Sequence, residues 1–364
     1  MSAQPAPVVW FDDLVGDARA LVGGKSASLV EMRRASFPVP PGFAITVAAF
    51  EQFEDETGIN GNVERIVAAV EPDSTESLHL ASERIRELAE DVRLPGALRY
   101  QIEREYRRMG QETGEDEPAV AVRSSAVGED SAEASFAGQQ ETYLWVRGTR
   151  ELELAVRRCW ASYFSPHALS YRARLSGGRT GISTVGMSVG VQQMVDADVA
   201  GVMFTRSPTT NDRSIVAIEA GLGLGVSVVG GEVTPDELWV NKVTREVVKR
   251  KPGYKQLRYV PDRESGGTRC EEVPEDQATQ LCLDDDTAKR LAEFGVQLER
   301  HQGAAQDVEW ALTRGSDGPR LVLLQSRPIT TAKERSEPVA TPMPSKTDYV
   351  LKQMLATSQK KVQM

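Results

Sequence analysis

The sequence predicts an α/β fold of the α+β kind, in two lobes of mixed and antiparallel sheet with flanking helices, and three observations carry that expectation. Residues 50–112 keep a helical pattern rich in Glu and Arg. From Val185 the texture changes to short apolar runs separated by turn residues such as Asp196 and Asp198, the pattern of successive strands. Residues 304–329, "AAQDVEWALTRGSDGPRLVLLQSRPI", read as two alternating runs around Gly315-Ser316-Asp317-Gly318, a hairpin.

Taken in order, "LVGGKSASLVEMRRA" is a loop running into a helix, with Ser26 where an N-cap would sit and Leu29, Val30 and Met32 as its apolar face. "FPVPPGFAIT" follows, extended through its prolines. The helical stretch at 50–112 is broken near Pro72-Asp73 and Pro95-Gly96. "AVAVRSS" at 119–125 alternates and ends in polar residues, as a strand delivering a loop would. Residues 149–175 return to helix, a second lobe is expected from Val185, and 287–303 is again helical. Beyond Ile329 the composition is that of a polar linker, at 333–346. A final amphipathic helix is expected at 347–364, where Val350, Leu351, Met354 and Leu355 share a face.

The formal charge of -10 argues against a surface made to neutralise nucleic-acid phosphates. No uncharged apolar run reaches the ~20 residues that span a bilayer, and the opening residues lack a basic and an apolar region, so no membrane is expected and a cytoplasmic location is. Cys159, Cys270 and Cys282 show no metal-site spacing and read as buried reduced thiols. The three histidines, His79, His167 and His301, fall in helical scaffold contexts.

Gly23-Gly24-Lys25-Ser26 invites a phosphate-loop reading, but Arg19 stands where that loop needs its first glycine. On these four residues alone a solvated lysine at a helix start is the favoured reading. Folding the hairpin about Asp317 sets Glu309 opposite Gln325 and Asp307 opposite Arg327, all on one face. Hard oxygen donors beside an arginine suit a magnesium-nucleotide complex, in which Mg²⁺ takes few protein carboxylates and completes its shell with phosphate and water. A half-exposed hairpin with a cross-strand ion pair fits the same residues equally well. "RSSAVGEDSAEASFAGQQET", residues 123–142, is by composition a mobile polar loop, although Arg123 can clamp a phosphate and Gly138 can let backbone N–H groups approach one.

"GGKSASLVEM", "PVPPGFAIT", "AVRSSAVGEDSAEASFAGQQETYLWV", "VQQMV", "AGVMFTRSP", "GLGLGVSVVGGEVTPDELWV", "DVEWAL" and "LLQSRPIT" occur in that order between about residues 20 and 331. Together they resemble the N-terminal ATP-binding, ATP-grasp domain of the phosphoenolpyruvate synthase, pyruvate phosphate dikinase and rifampicin phosphotransferase family. The resemblance implies one such domain at 1–332, with lobes at about 1–184 and 185–332. It implies Lys25 and Arg123 on the nucleotide phosphates, Gly138 and Thr142 in a closing loop, and Gln192 at the adenine and ribose side. Glu309 and Gln325 would hold Mg²⁺, and Arg327 would meet the transferring phosphate, with Lys25, Arg123 and Arg327 as the catalytic set. One departure stands out: the family's usual acid after GLG is Val226 here.

Relatives continue into a swivelling domain that bears a phosphohistidine, and no such motif follows Ile329. The expected function is therefore the ATP-binding subunit of a split phosphotransferase. It would pass the β-phosphoryl or pyrophosphoryl group of Mg-ATP to a histidine on a separate subunit, for a small-molecule acceptor such as pyruvate, a phenol or other alcohol, or an antibiotic. Phenylphosphate synthase shows a similar arrangement. The alternatives are an ATP-sensing regulatory subunit without turnover and a truncated enzyme of rifampicin phosphotransferase type.

Overall fold

The computed structural model describes residues 5–126, 141–175, 186–315 and 318–329, with no side chains described at 171–175. Gly138, the linker at 333–346 and the tail helix at 347–364 lie outside the described residues.

Among the described residues, five strands make the first sheet: β1 (Val8–Trp10), β2 (Gly42–Ile45), β3 (Val120–Ala126), β4 (Thr142–Val146) and β5 (Met187–Gln193). Their order is β1-β2-β5-β3-β4, every neighbour antiparallel. β6 (Val199–Phe204), β7 (Ile215–Leu222), β8 (Asp236–Asn241) and β9 (Val247–Lys251) belong to a second sheet. β10 (Leu257–Pro261) and β11 (Thr268–Glu272) pair as a separate ribbon. β12 (Gln306–Gly315) and β13 (Gly318–Pro328) complete the second sheet in the order β13-β12-β6-β7-β8-β9. The strand texture at Val185, where a second lobe was expected to begin, thus opens with β5, which pairs inside the first sheet; the second sheet starts at Val199.

The helices are α1 (Arg19–Arg34), α2 (Val47–Thr57), α3 (Asn60–Ala68), α4 (Thr75–Asp91), α5 (Gly96–Thr113), α6 (Thr149–Ala161), α7 (Pro166–Leu175), α8 (Val226–Val229), α9 (Glu275–Ala278) and α10 (Asp285–Gln302). α10 shows why its residues form a helix. The Asp284 carboxylate accepts the Thr287 N–H at 2.7 Å, acids fill the first turn and Arg300 and His301 the last, and Gly303 closes it at φ 70°. Its buried Ala288, Leu291, Ala292, Gly295 and Leu298 recur at helical spacing and lie on the second sheet.

Each strand of the first sheet divides its side chains between two environments. Phe43, Ile45, Val122, Val189 and Val191 join a core with Phe50, Phe53 and Trp160, in which Phe53 and Trp160 stack at 4.9 Å. The other face turns Arg123, Ser125, Ser188, Gly190 and Gln192 towards α1. α1 in turn shares a second core with Met203, Ile218, Leu238 and Trp310 of the second sheet. It therefore touches both sheets, and Ser28 donates its hydroxyl to the Ser326 carbonyl of β13 at 2.7 Å.

Three buried ionisable groups matter for stability. Lys255 and Asp236 are both fully buried and paired, and Asp236 also accepts the backbone N–H groups of Gly253 at 2.8 Å and Cys282 at 2.7 Å. Glu54 is 5 % exposed, and burial, opposed by a hydrogen bond with Asn60 and reinforced by Asp55 and Glu51, lifts its carboxyl from 4.5 to about 7. The folded chain then holds a proton that the unfolded chain releases between those two values, so stability falls as pH rises through that window and the full penalty persists above it. Glu54→Gln is expected to gain roughly 2–3 kcal/mol at pH 8 and almost nothing at pH 4, measured by urea denaturation at both.

The three cysteines are free thiols. Cys159 and Cys282 are buried, and burial pushes both thiols up, whereas Cys270 is exposed on β11, contrary to the expectation of burial. Among the described residues no helix is long and apolar enough to cross a membrane.

Candidate functional site

Four of the residues singled out in the sequence, distant along the chain, line one small cavity: Lys25 on α1, Arg123 on β3, Gln192 on β5 and Gln325 on β13, with Ser26 and Gly190 between them. Register explains the convergence. Arg123 lies directly opposite Gly190 on β5, whose missing side chain leaves room for Ser26, since a Cβ there would stand 2.8 Å from the Ser26 hydroxyl. Gln192, two residues on, faces the same way. It is 2 % exposed and its Nε2 has no hydrogen-bond partner among the described residues, an unused buried donor of the kind that a ligand acceptor completes.

Lys25 reaches the cavity through an irregularity in α1. Gly23, at φ 69° and ψ 174°, interrupts the helix, which then resumes with Lys25 in its first turn. Ser26 is not the N-cap expected of it; it lies inside the resumed helix, and its backbone N–H goes to the Ser125 hydroxyl at 3.3 Å.

The hairpin β12–β13 brings the acids. Glu309 is opposite Gln325 and Asp307 opposite Arg327, the pairings expected from the sequence. The turn is tighter than that expectation assumed, with Gly315 opposite Gly318, and a bulge between Glu309 and Trp310 on one strand and Gln325 and Leu323 on the other restores the pairing. The bulged residue, Leu324, offers its carbonyl to Arg123 at 3.4 Å. The same Arg123 Nη1 lies 3.3 Å from Gln325 Oε1 and 3.7 Å from Glu309 Oε2. Its Nε is buried without a hydrogen-bond partner among the described residues.

Two hard oxygen donors thus converge on one cationic nitrogen. A carboxylate and an amide carbonyl so placed fit Mg²⁺, which needs few protein ligands when phosphate oxygens supply the rest. No group of three His, Cys, Asp or Glu among the described residues could hold a metal unaided. Glu309 and Gln325 would hold the ion, and it would supply charge neutralisation on bound phosphates.

Arg327 is placed apart from the cavity, with its Nε and Nη2 both 2.8 Å from Asp307 Oδ2 and its side chain 61 % exposed. Burial lifts the Asp307 carboxyl above its ordinary range against the pull of Arg327, and the charge of Glu309 adds to the lift. Thr142 sits directly opposite Arg123 on the edge strand β4 and is exposed. Glu219 had no signal in the sequence: it shares a cross-strand row with Glu309, through Val202, and with Glu237, and burial raises its carboxyl. Ala200, Leu224, Ala311 and Val322 belong to a small buried apolar cluster, and the partly buried Met194 and Leu324 pack against it, Leu324 lining the cavity with Gln192. Val226 is partly buried and packs against the same cluster.

An α+β scaffold that gathers a lysine, an arginine and, among the described residues, amide and guanidinium donors without partners beside oxygen acceptors fits a nucleotide-binding domain. The family model described as pyruvate phosphate dikinase, AMP/ATP-binding domain, matches residues 19–347, and the chain belongs to this family. It is 41 % identical over 327 residues to a probable phosphoenolpyruvate synthase of Methanocaldococcus jannaschii, covering 90 % of this chain and 27 % of that protein. A probable phosphoenolpyruvate synthase of Methanothermobacter thermautotrophicus is 40 % identical, with 91 % and 47 % covered. The phosphoenolpyruvate synthase of Pyrococcus furiosus is 36 % identical, with 90 % and 44 % covered. The chain spans less than half the length of these relatives.

Proposed function

We propose that this chain binds Mg-ATP and passes its β-phosphoryl or pyrophosphoryl group to a histidine on a separate phosphocarrier subunit, from which a small-molecule acceptor such as pyruvate, a phenol or alcohol, or an antibiotic is phosphorylated. The observation that carries the reading is Arg123, which meets Glu309, Gln325 and the Leu324 carbonyl at one point beside Lys25 and Gln192. Lys25 and Arg123 hold the phosphates, Gln192 with the partly buried Met194 and Leu324 takes the nucleoside, and Arg327, released from Asp307, meets the transferring group. Gly138 and Thr142 close over it. Such a site acts by positioning and charge neutralisation, since phosphoryl transfer asks little covalent help of side chains. The acceptor histidine is assigned outside this chain because His79, His167 and His301 stand on α4, α7 and α10 and none of them lines the cavity. A cytoplasmic setting fits an ATP-consuming reaction of this kind.

The test is to incubate the full chain with Mg²⁺ and ATP labelled at the β or γ position, with and without a histidine-bearing phosphocarrier protein. Label on the partner's histidine is the expected result. Tight ATP binding with no transfer to any such partner would favour a nucleotide-sensing role and sink the transferase reading. Glu309→Gln and Arg327→Ala are each expected to cut labelling by about 100-fold or more without unfolding the chain, as circular dichroism would check.

A further inference from the structure

The interruption of α1 at Gly23 has an identifiable cause on β3. In a continuous helix the carbonyl of Val22 and the N–H of Ser26 would bond to each other. Here both are engaged by one hydroxyl from another element: Ser26 N–H donates to Ser125 Oγ at 3.3 Å, and Ser125 Oγ–H donates to the Val22 carbonyl at 2.9 Å. Insertion of a side chain into the helical ladder is a recognised origin of a kink. Ser188, opposite Ser125 on β5, bears on the same place, with its hydroxyl against the Val22 carbonyl and 3.1 Å from the Ser125 carbonyl. All of Ser26, Ser125 and Ser188 are buried. Gly23 is the only residue type that fits the break, because its φ is positive and a Cβ there would collide with Ser125. Ser125 is also two residues beyond Arg123 on the same strand face, so a single strand end carries one phosphate-facing group and sets the course of the helix that carries the other.

We propose that Ser125, seconded by Ser188, is a positioning residue for Lys25: its hydroxyl stands between the Val22 carbonyl and the Ser26 N–H, holds α1 open at Gly23, and so directs Lys25 to the bound phosphates. The proposal rests on the reading of Lys25 as a phosphate ligand. Without that hydroxyl the helix is free to close its ladder across Gly23, which turns Lys25 away from the cavity. The adenine side of the site, at Gln192, Met194 and Leu324, is held by other contacts and is left as it was.

The experiment compares ATP with adenosine, which lacks phosphates, by calorimetry on the full chain in the presence of Mg²⁺. Ser125→Ala is expected to weaken ATP about tenfold and to leave adenosine within about twofold of wild type. Ser188→Ala, which leaves Val22 a second donor, is expected to weaken ATP by about threefold and carries the same comparison if Ser125→Ala melts below the assay temperature. In a Lys25→Ala background Ser125→Ala is expected to add less than about twofold, because the two residues act through one contact. ATP affinity unchanged in Ser125→Ala, an equal loss for adenosine, or additive losses with Lys25→Ala would each overturn the positioning role while the nucleotide site stands. A wild-type chain that bound no ATP would overturn both.

Discussion

Arg123→Ala is expected to weaken ATP binding by about 100-fold and, in the opposite direction, to strengthen the binding of free Mn²⁺ used as a probe for Mg²⁺. Both signs come from one geometry. Arg123 Nη1 stands 3.3 Å from Gln325 Oε1 and 3.7 Å from Glu309 Oε2, so in the absence of nucleotide the guanidinium and a divalent cation compete for the same oxygens. Truncation removes the competitor along with the phosphate clamp. Arg123→Lys keeps a charge but loses the planar fork, and should fall between wild type and alanine for ATP. Calorimetry with ATP and paramagnetic relaxation with Mn²⁺ would read the two effects separately. ATP affinity within about threefold of wild type in Arg123→Ala would remove this residue from the phosphate site.

The second large effect is on stability. Lys255→Ala is expected to cost about 3–5 kcal/mol, because it strands the Asp236 carboxylate, fully buried, without its counter-charge. Asp236 keeps the N–H groups of Gly253 and Cys282, which satisfy its lone pairs but do not neutralise it. Removing both charges, as Lys255→Met with Asp236→Asn, should cost less than Lys255→Ala alone, since the amide oxygen can still accept the Gly253 N–H. Urea denaturation of the three proteins decides it: a loss below about 1 kcal/mol in Lys255→Ala would show that water reaches the site when the lysine is gone.

The fold was readable where a local pattern suffices. The breaks at Pro72-Asp73 and Pro95-Gly96 separate α3 from α4 and α4 from α5, and α10 carries its cap, its charges and its apolar stripe in consecutive residues. The pairing of Glu309 with Gln325 was readable too, but on an incomplete argument. Regular alternation from Gln325 back to the turn would put Leu321 and Leu323 on the cleft face, yet both are buried on the α10 side. Only the bulge reconciles the two, and nothing in the local pattern announces it. The break in α1 was hidden for a different reason. Gly23 could be seen, whereas the hydroxyl that requires it comes from Ser125, far along the chain. Ser26 looked like a cap because the competitor for its N–H belongs to another strand. The collection of Lys25, Arg123, Gln192 and Gln325 around one cavity is likewise a property of sheet order and was reached from sequence only through the family resemblance.

The bulge at Leu324 can also be considered as chain length. β13 has one residue more than its partner needs, and Leu324 is the residue whose deletion would change the facing of no other side chain: Leu323 would still meet Trp310, and Gln325 would still meet Glu309. Besides the Leu324 side chain, the deletion would take away a backbone carbonyl, the one that accepts from Arg123. Substitution scanning passes over such a group, because every residue type placed at 324 keeps its carbonyl. The contribution of that carbonyl to the site is visible only to experiments that alter the length of the strand.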